Sequence, residues 1–393
     1  NSITGVNLPK SLQTIGDYAF YNCSGLEEIT FPSALTSIGE NAFESCDSIV
    51  EIDLSNCTKL EVISFYGFRN CTSLTTVAFP KNLVSIENSA FSGCGVLSEI
   101  NINVCTNLES IGNYAFSDCS ALSSELDFSQ CTSLTNIGDY AFDSCLSITS
   151  IIFPTCLESI GNNAFSTCRG LTGNLNLASC QNLQSIGNNA FEYCDSFTSV
   201  TFPDSLSEIG RYAFDYCGFT SVDLSGCENL TTLSTYVFAW CSNLNSVTLP
   251  ANLVSIGDFA FYYCSEILEL NLSACENLKS IGDNAFRDCE GIEMVDLSAC
   301  ANLISIGDYT FNSCGELASV LLPSKLNSIG RNAFSSCSRL NSVEFGEITG
   351  WQVSTSSDFS GEVIEIDSTD LQTPSTASGL LGSTYSVYYW RKV

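Results

Sequence analysis

Large apolar side chains recur along this chain every 23 to 26 residues, separated by mostly polar stretches. A Cys stands three residues after each recurring Phe, from Cys23 to Cys337, and an apolar triplet such as Leu26, Ile29 and Phe31 follows. Apolar and polar positions alternate at the end of this triplet, which predicts a short β-strand. Fourteen phenylalanines mark the repeat: Phe20, Phe43, Phe68, Phe91, Phe116, Phe142, Phe165, Phe191, Phe214, Phe238, Phe261, Phe286, Phe311 and Phe334.

We predict that each repeat is one coil of a solenoid, because a single coil cannot bury its apolar face without neighbours. The triplets then stack into one parallel sheet of about 15 rungs, each roughly 4.8 Å apart. The phrase I-G-x-x-A-F is predicted to form an outer, convex turn whose Ile, Ala and Phe point inward. Its Gly indicates a left-handed or closely packed backbone position. Two repeats carry an extra residue, in segments 122–126 and 171–175, which predicts bulges there.

The repeat reads L-x-x-L-x-L-x-x-N/C, followed by L-x-x-I-G-x-x-A-F-x-x-C. This combination resembles the BspA-like leucine-rich repeat family, also called the Treponema pallidum type, over Ile3 to Phe345. The resemblance implies an α/β-type leucine-rich repeat solenoid, with a curved parallel sheet on its concave face and an irregular or short helical convex side. It also implies a bacterial or parasite protein that is surface-exposed or secreted, in a family associated with adhesion to host matrix proteins and to other microbes.

Composition changes after Gly346, where the Phe and Cys period ends and Ser, Thr and Gly become frequent. We therefore predict two domains, a solenoid over 1–346 and a short β-rich cap over 347–393. Trp351, Tyr388, Tyr389 and Trp390 would pack this cap on the last coil, although a docking module is the alternative. The segment also resembles a C-terminal segment of some bacterial surface proteins. No Met opens the chain, so upstream sequence is expected to have been removed.

The chain has 22 cysteines, which permit three interpretations. A disulfide framework or a zinc site would need irregular or C-x-x-C spacing, yet the cysteines follow the solenoid period. Parallel, inward-pointing side chains also have the wrong geometry for disulfides. We therefore predict mostly buried free thiols, used as small soft side chains beside the sheet.

Acidic residues outnumber basic residues by 43 to 13, which gives a formal net charge of −30, and no His is present. Such a surface repels nucleic acid and anionic membranes. The lack of His removes the commonest general base and metal ligand. No phosphate-binding loop or unique carboxylate pair stands out, so no catalytic residue, metal or cofactor is predicted. A hydrolase with a carboxylate pair, such as Glu51 with Asp53, is kept as a third hypothesis.

Strand alternation directs one set of side chains out of the sheet, and none of these positions holds Lys or Arg. We predict that this concave face is the ligand-binding site, for a basic protein segment, a glycan or a bridging Ca²⁺. The alternative is a solvated face that mirrors the acidity of the chain. The predicted binding residues are Glu28, Glu51, Asp53, Glu99, Asn101, Glu125, Asp127, Asp223, Glu269, Asp296 and Glu344.

The leading hypothesis is a non-catalytic recognition or adhesion protein that is on the cell surface or secreted and is expected to be a monomer. Its partner would be a host extracellular matrix or microbial surface protein, or a glycan, with no nucleic acid and no membrane-spanning segment. A structural spacer without a specific ligand is the second hypothesis. Residues two positions before the core Phe, such as Tyr18, are expected to face outward on the convex side. Aromatic residues between the core Phe and the Cys, such as Tyr263, are expected to pack at the rim, with a sugar-stacking patch as the alternative.

Overall fold

The computed structural model describes residues 3–123 and 125–393, and it shows a parallel β-solenoid of about 14 turns with few helices. This architecture confirms the predicted solenoid. The chain forms two compact units, residues 1–197 and residues 198–393, a division that the repeat pattern does not predict. The domain boundary at residue 346 stays a prediction.

In the first unit each coil contributes a strand to a first ladder and a two-residue strand to a second ladder. The first ladder consists of Gly5–Asn7, Glu28–Thr30, Glu51–Asp53, Thr76–Ala78, Glu99–Ile100, Leu126–Asp127, Ile151–Ile152 and Gly173–Asn176. The second ladder consists of Thr14–Ile15, Ser37–Ile38, Val62–Ile63, Ser85–Ile86, Ser110–Ile111, Asn136–Ile137, Ser159–Ile160 and Ser185–Ile186. A 3₁₀ turn covers Ile102–Val104. The hydrogen-bonded pairs within these ladders are parallel, as in Ser85 opposite Ser110. The first ladder is divided into separately hydrogen-bonded groups of two or three strands and is not the single sheet that was predicted.

The second unit repeats both ladders. Its first ladder consists of Phe197–Thr201, Ser221–Asp223, Ser246–Thr248, Glu269–Asn271, Met294–Asp296, Ser319–Leu322 and Ser342–Phe345. Its second ladder consists of Glu208–Ile209, Thr232–Leu233, Ser255–Ile256, Ser280–Ile281, Ser305–Ile306 and Ser328–Ile329. The first strand begins at the unit boundary, so Phe197 itself belongs to the first unit.

The second ladder corrects the prediction that the whole I-G-x-x-A-F phrase is an irregular turn. The Ile of the phrase pairs with the Ile of the next coil, as Ile281 does with Ile306. The following Gly is closely packed and is not left-handed. A Cβ on Gly307 would lie 2.4 Å from Asp283 Oδ1 and 2.7 Å from Asp283 N, so a side chain has no room.

A ladder of Asp and Asn side chains explains this close packing. The residue after the Gly uses its side-chain oxygen to accept the backbone N–H of the same slot one coil later. In the second unit Asp258 accepts from Asp283 at 2.9 Å, Asp283 accepts from Asp308 at 2.7 Å, and Asp308 accepts from Arg331 at 3.0 Å. In the first unit Asn88, Asn113 and Asn162 accept the same bond, so the carboxylate charge is not needed for it.

The rest of the phrase forms an arc that links successive coils through the backbone. The residues two before and two after the core Phe are left-handed, as in Phe259 at φ 56° and Tyr263 at φ 62°. This twist lets alternate N–H groups donate to the next coil, as Phe261 donates to Ala285 at 2.8 Å. The prediction that the slot before the Phe faces outward is confirmed by Tyr18, which is 58% exposed.

The core is a stack of phenylalanine rings beside a column of thiols. Adjacent rings lie almost parallel, with centroids 5.3 Å apart between Phe286 and Phe311. The predicted burial of the cysteines is confirmed, since all are free and buried except the half-buried Cys156 and Cys337. The thiol does more than fill space. Cys289 donates its S–H to the Phe261 carbonyl oxygen at 3.1 Å, a bond repeated from coil to coil.

Burial also removes the acidity of these thiols, because a thiolate loses its hydration inside the core. This desolvation raises the pKa of Cys105 to about 12 and the pKa of Cys300 to about 12. The thiols therefore stay protonated, and the proton is available for the bond to the carbonyl.

The C-terminal segment ends the second unit with an antiparallel sheet formed by Trp351–Ser354, Val363–Glu365 and Tyr389–Lys392. The last strand pairs with the second ladder, since Ile329 lies opposite Trp390. Trp351 and Trp390 are 2% and 1% exposed, as predicted for a cap. Short helices over Ser368–Leu371 and Pro374–Gly379 and a π turn over Leu380–Thr384 were not predicted.

Of the two predicted bulges, one is supported by the backbone. Gly173 opens the strand Gly173–Asn176 with a left-handed φ of 74°, the conformation that a Gly bulge requires. The other bulge includes Ser124, which lies outside the described residues.

Candidate functional site

The open sheet face is the set of side chains that point outward from the first-ladder strands of each unit. Its basis is strand alternation, since Glu51 and Asp53 are exposed whereas Ile52 between them is fully buried. Nine of the eleven predicted binding residues lie in first-ladder strands, whereas Asn101 and Glu125 directly flank the strands Glu99–Ile100 and Leu126–Asp127. Asn101 and Asp127 are half-buried there, and the exposed members are Glu28, Glu51, Asp53, Glu99, Glu125, Asp223, Glu269, Asp296 and Glu344.

In the first unit the register spaces the carboxylates by one strand. Glu51 lies opposite Thr76, and Thr76 lies opposite Glu99. Two strand spacings separate the two glutamates by about 10 Å along the ladder. A depression of about 760 Å³ lies beside Glu28, Glu51 and Asp53. The acidic positions therefore form one surface, with hydroxyl groups between the carboxylates.

In the second unit the corresponding depression is partly apolar. It measures about 460 Å³ and includes Glu269, Asn271, Asp296, Leu268 and Met294. Leu268 is 58% exposed and Met294 is 53% exposed. Large apolar side chains with such exposure offer contact area to a partner, and the carboxylates around them favour a cationic one.

Several predicted ligand residues also hold the backbone, which the sequence analysis missed. Each aspartate of a D-L-S or D-F-S sequence accepts the N–H of the residue two positions later, at 2.9 Å for Ser55 from Asp53. The same bond forms at Asp127, Asp223 and Asp296. Such Asx turns close the strand, and the fixed spacing of Asp and Ser was the signal for them. One carboxylate oxygen of each Asp is thereby used.

Asn101 is likewise structural. Its side-chain oxygen accepts the Phe79 N–H at 2.7 Å, where the 3₁₀ turn over Ile102–Val104 interrupts the strand. Glu125 accepts the Ser150 hydroxyl at 3.1 Å. The glutamates of the open sheet face are therefore better candidates for ligand contact than its aspartates and Asn101.

Electrostatics and donor geometry limit what the face can bind. The outward positions carry no Lys or Arg, so the face attracts cations within the range of salt screening. In residues 3–123 and 125–393, no cluster of three or more Cys, Asp and Glu side chains is placed to hold a metal ion.

No helix in this described part has both the length and the apolarity needed to cross a membrane.

Comparisons with known proteins agree on the fold. A family model described as BspA type leucine rich repeat region (6 copies) matches residues 1–123, 101–217, 172–293 and 271–361. A leucine-rich repeat protein from Bacteroides ovatus is 28% identical, with a TM-score of 0.62 and coverage of 86% of each chain. None of the curated proteins matches the chain.

Two further solved structures are less similar. A leucine rich cell surface protein from Faecalibacterium prausnitzii is 21% identical over 88% of each chain, with a TM-score of 0.45. The leucine rich repeat protein of T. pallidum is 28% identical over 49% of this chain and 77% of its own, with a TM-score of 0.35. Proteins of this repeat type typically mediate protein interactions or surface roles and are generally non-catalytic.

Proposed function

This chain belongs to the BspA type leucine-rich repeat family, and we propose that it is a non-catalytic recognition protein that binds its partner on the open sheet face. The proposed partner is a host matrix or microbial surface protein, or a glycan, met at the cell surface or after secretion. Family members are generally surface-associated. The observation that carries the proposal is that the outward positions of the first-ladder strands are rich in acidic and hydroxyl side chains and include no basic residue.

The depression at Leu268 and Met294 supports a protein segment as partner. Exposed apolar side chains bounded by carboxylates suit a segment that combines a large apolar side chain with Lys or Arg. Because Glu269 is not used by an Asx turn, its carboxylate is available to such a cation. A cationic partner would associate faster at low ionic strength, since the charged face steers it.

Charge-matched variants test this proposal. The first replaces four glutamates of the open sheet face by Gln: Glu51, Glu99, Glu269 and Glu344. The control replaces four exposed glutamates of the turns between the ladders by Gln: Glu61, Glu109, Glu158 and Glu228. Both variants change the net charge by the same amount, so they differ only in where the charge is removed.

The parent and both variants are measured on a panel of host matrix proteins and glycans, with polylysine as a generic cationic probe. We expect the parent and the control to bind one matrix protein or glycan, and the face variant to lose about tenfold or more in affinity. Equal loss in both variants would mean a non-specific charge effect. No binding to any protein or glycan would favour a structural spacer.

A further inference from the structure

An aromatic patch on the arc of the second unit departs from the repeat. In three successive coils both left-handed slots around the core Phe hold aromatic residues, whereas the following coil has Asn284 and Asp288 there. The later coils have Ser313 and Ser336 in the second slot. We define the aromatic patch by these six residues: Tyr212, Tyr216, Tyr236, Trp240, Phe259 and Tyr263.

The aromatic side chains occupy backbone positions that disfavour them. All six residues have φ between 56° and 62°, a region where a bulky side chain is uncommon and costs about 1–2 kcal/mol. Asn, which tolerates this conformation, fills the same slots elsewhere, as Asn284 and Asn332 do. The fold therefore does not require aromatic rings here, and aromatic residues in both slots of three successive coils distinguish this patch from the coils with a single tyrosine there, such as Tyr18 and Tyr309.

The rings form two parallel rows on the surface. Tyr236 stacks on Tyr212 at 4.6 Å and on Phe259 at 4.4 Å between ring centroids. Trp240 stacks on Tyr216 at 5.2 Å and on Tyr263 at 4.1 Å. One ring from each row is thus presented by every coil, at intervals of about one strand spacing.

Tyr262 joins the two rows at their last coil. Its ring is nearly perpendicular to Phe259 and Trp240, at 87° and 88°. The next coil has the smaller, non-aromatic residues Asn284 and Asp288 in the two slots, so both rows of rings end at Phe259 and Tyr263. Tyr263 is 40% exposed there. The patch therefore exposes ring edges along its length, and at its end the ring of Tyr262 stands perpendicular to the rings of both rows.

From this arrangement we propose that the aromatic patch binds a neutral glycan chain lying along the solenoid axis. A sugar has an apolar C–H face and a rim of hydroxyls, which match rings that also carry polar atoms. The four tyrosines and Trp240 supply hydroxyl and indole N–H groups in addition to ring surface. A polysaccharide that lies along the solenoid axis can place successive sugar units against the aromatic rings of successive coils.

The charge of the chain disfavours a polyanionic partner. A polyanion is repelled by a chain of net charge −30, and Asp258 and Asp288 adjoin the patch. Aromatic side chains also occur at protein interfaces, so the test below includes proteins. The described part of the second unit exposes its large aliphatic residues outside the arc. Those residues are Leu268, Met294, Ile304, Val363, Val387 and Val393.

The fluorescence of Trp240 reports directly on binding at this patch. The chain has three tryptophans, and Trp351 and Trp390 are buried in the C-terminal segment. A sugar that contacts the half-exposed Trp240 will therefore change the emission of one identifiable residue. Contacts between a neutral sugar and these rings involve no net charge, so added salt should leave this affinity unchanged, in contrast to binding of a cationic ligand on the open sheet face.

The test compares a patch variant with an equivalent variant elsewhere. The patch variant carries Tyr216→Asn, Trp240→Asn and Tyr263→Asn. The control carries Tyr18→Asn, Tyr66→Asn and Tyr114→Asn, three exposed tyrosines in left-handed slots of the first unit. Asn suits the backbone in every slot, so both proteins should fold, which circular dichroism checks.

The parent and both variants are run in affinity electrophoresis against mannan, xyloglucan and a β-1,3-glucan, with heparin, polygalacturonate and matrix proteins as comparison. We expect a neutral polysaccharide to retard the parent and the control, and to shift parental Trp emission. The patch variant should lose about tenfold or more in affinity. Unchanged retardation of the patch variant, retention by polyanions or proteins through the patch, or no retardation by a neutral polysaccharide would overturn the proposal.

Discussion

Asp283 sits between two other aspartates, and replacing it by Asn should stabilise the protein. Its side-chain oxygen accepts the Asp308 N–H at 2.7 Å, while its own N–H donates to Asp258 Oδ1 at 2.9 Å. Asn makes the same bond in the first unit, where the Asn88 side chain accepts the Asn113 N–H at 2.8 Å. The substitution Asp283→Asn therefore keeps the ladder bond and removes one of three adjacent negative charges.

The size of the effect follows from the spacing of the coils. Carboxylates one coil apart are separated by roughly 5 Å, which costs about 0.8 kcal/mol per pair in water before salt screening. Asp283 has two such neighbours, but Arg331 partly neutralises Asp308 through a bond of 3.0 Å. Because the Asp283 side chain is only partly shielded from solvent and salt screens the charges, we expect a gain of about 0.5–1 kcal/mol.

The pH dependence gives the sign of the effect. Burial, with the neighbouring Asp308 and Asp258 carboxylates, raises the pKa of Asp283 above its usual value of 3.8. The folded state then holds its proton to higher pH than the unfolded state, so stability falls as pH rises through this window. Asp283→Asn should remove that fall. Its advantage should be present at pH 7 and absent below about pH 3.

Urea unfolding at both pH values and at low and high salt measures this difference. The matched control is Asp139→Asn, because Asp139 accepts the Asn162 N–H at 2.6 Å and has Asn113 and Asn162 as its ladder neighbours. This control should change stability little. A destabilised Asp283→Asn protein at pH 7, or a gain that persists below pH 3 or at high salt, would refute the charge argument.

Three other changes follow from the packing. Gly307→Ala should destabilise the protein by about 1–3 kcal/mol, because the new Cβ would clash with the backbone of the previous coil. Gly16→Ala is the control, since nothing lies within 4 Å of its Cβ, and equal midpoints of the two variants in thermal unfolding would contradict this prediction. A thiol reagent at about pH 8 should label the native protein slowly, first at Cys156 and Cys337, and should label all 22 cysteines in denaturant. Rapid labelling of many cysteines in the native protein would disprove the prediction that the core thiols are buried and protonated. Trp390→Ala should cost about 3–5 kcal/mol, and an unchanged unfolding midpoint would argue against the cap.

The first ladder and its inward and outward sides were predictable because strand alternation is a local property of the sequence. Ile52 is buried and Glu51 is exposed for the reason the pattern gives. The second ladder was not predictable in this way, since a two-residue strand such as Ser280–Ile281 shows no period. Backbone bonds between coils create that ladder, and only the stacking of coils brings their donors and acceptors together.

The left-handed arc escaped prediction for a different reason. Positive φ is expected at Gly or Asn, so Tyr236 and Trp240 gave no local signal of it. The backbone there is determined by N–H groups that bond to the next coil, such as Tyr236 to Asp258 at 3.0 Å. The candidate site was likewise only half predictable. Its outward positions follow from alternation, but the Asx turns of residues such as Asp223 require the strand end to be located.

Within the second unit, the distribution of arginines separates the two proposed binding surfaces. Arg211, Arg287 and Arg331 all lie on the arc, where each guanidinium is within 6 Å of a tyrosine ring centroid. Arg287 and Arg331 also pair with aspartates of the arc. These arginines therefore offset part of the negative charge of the arc, while the outward positions of the open sheet face carry no Lys or Arg. A cationic partner is attracted to the sheet, and a neutral ligand that needs ring surface and hydroxyl partners finds them on the arc.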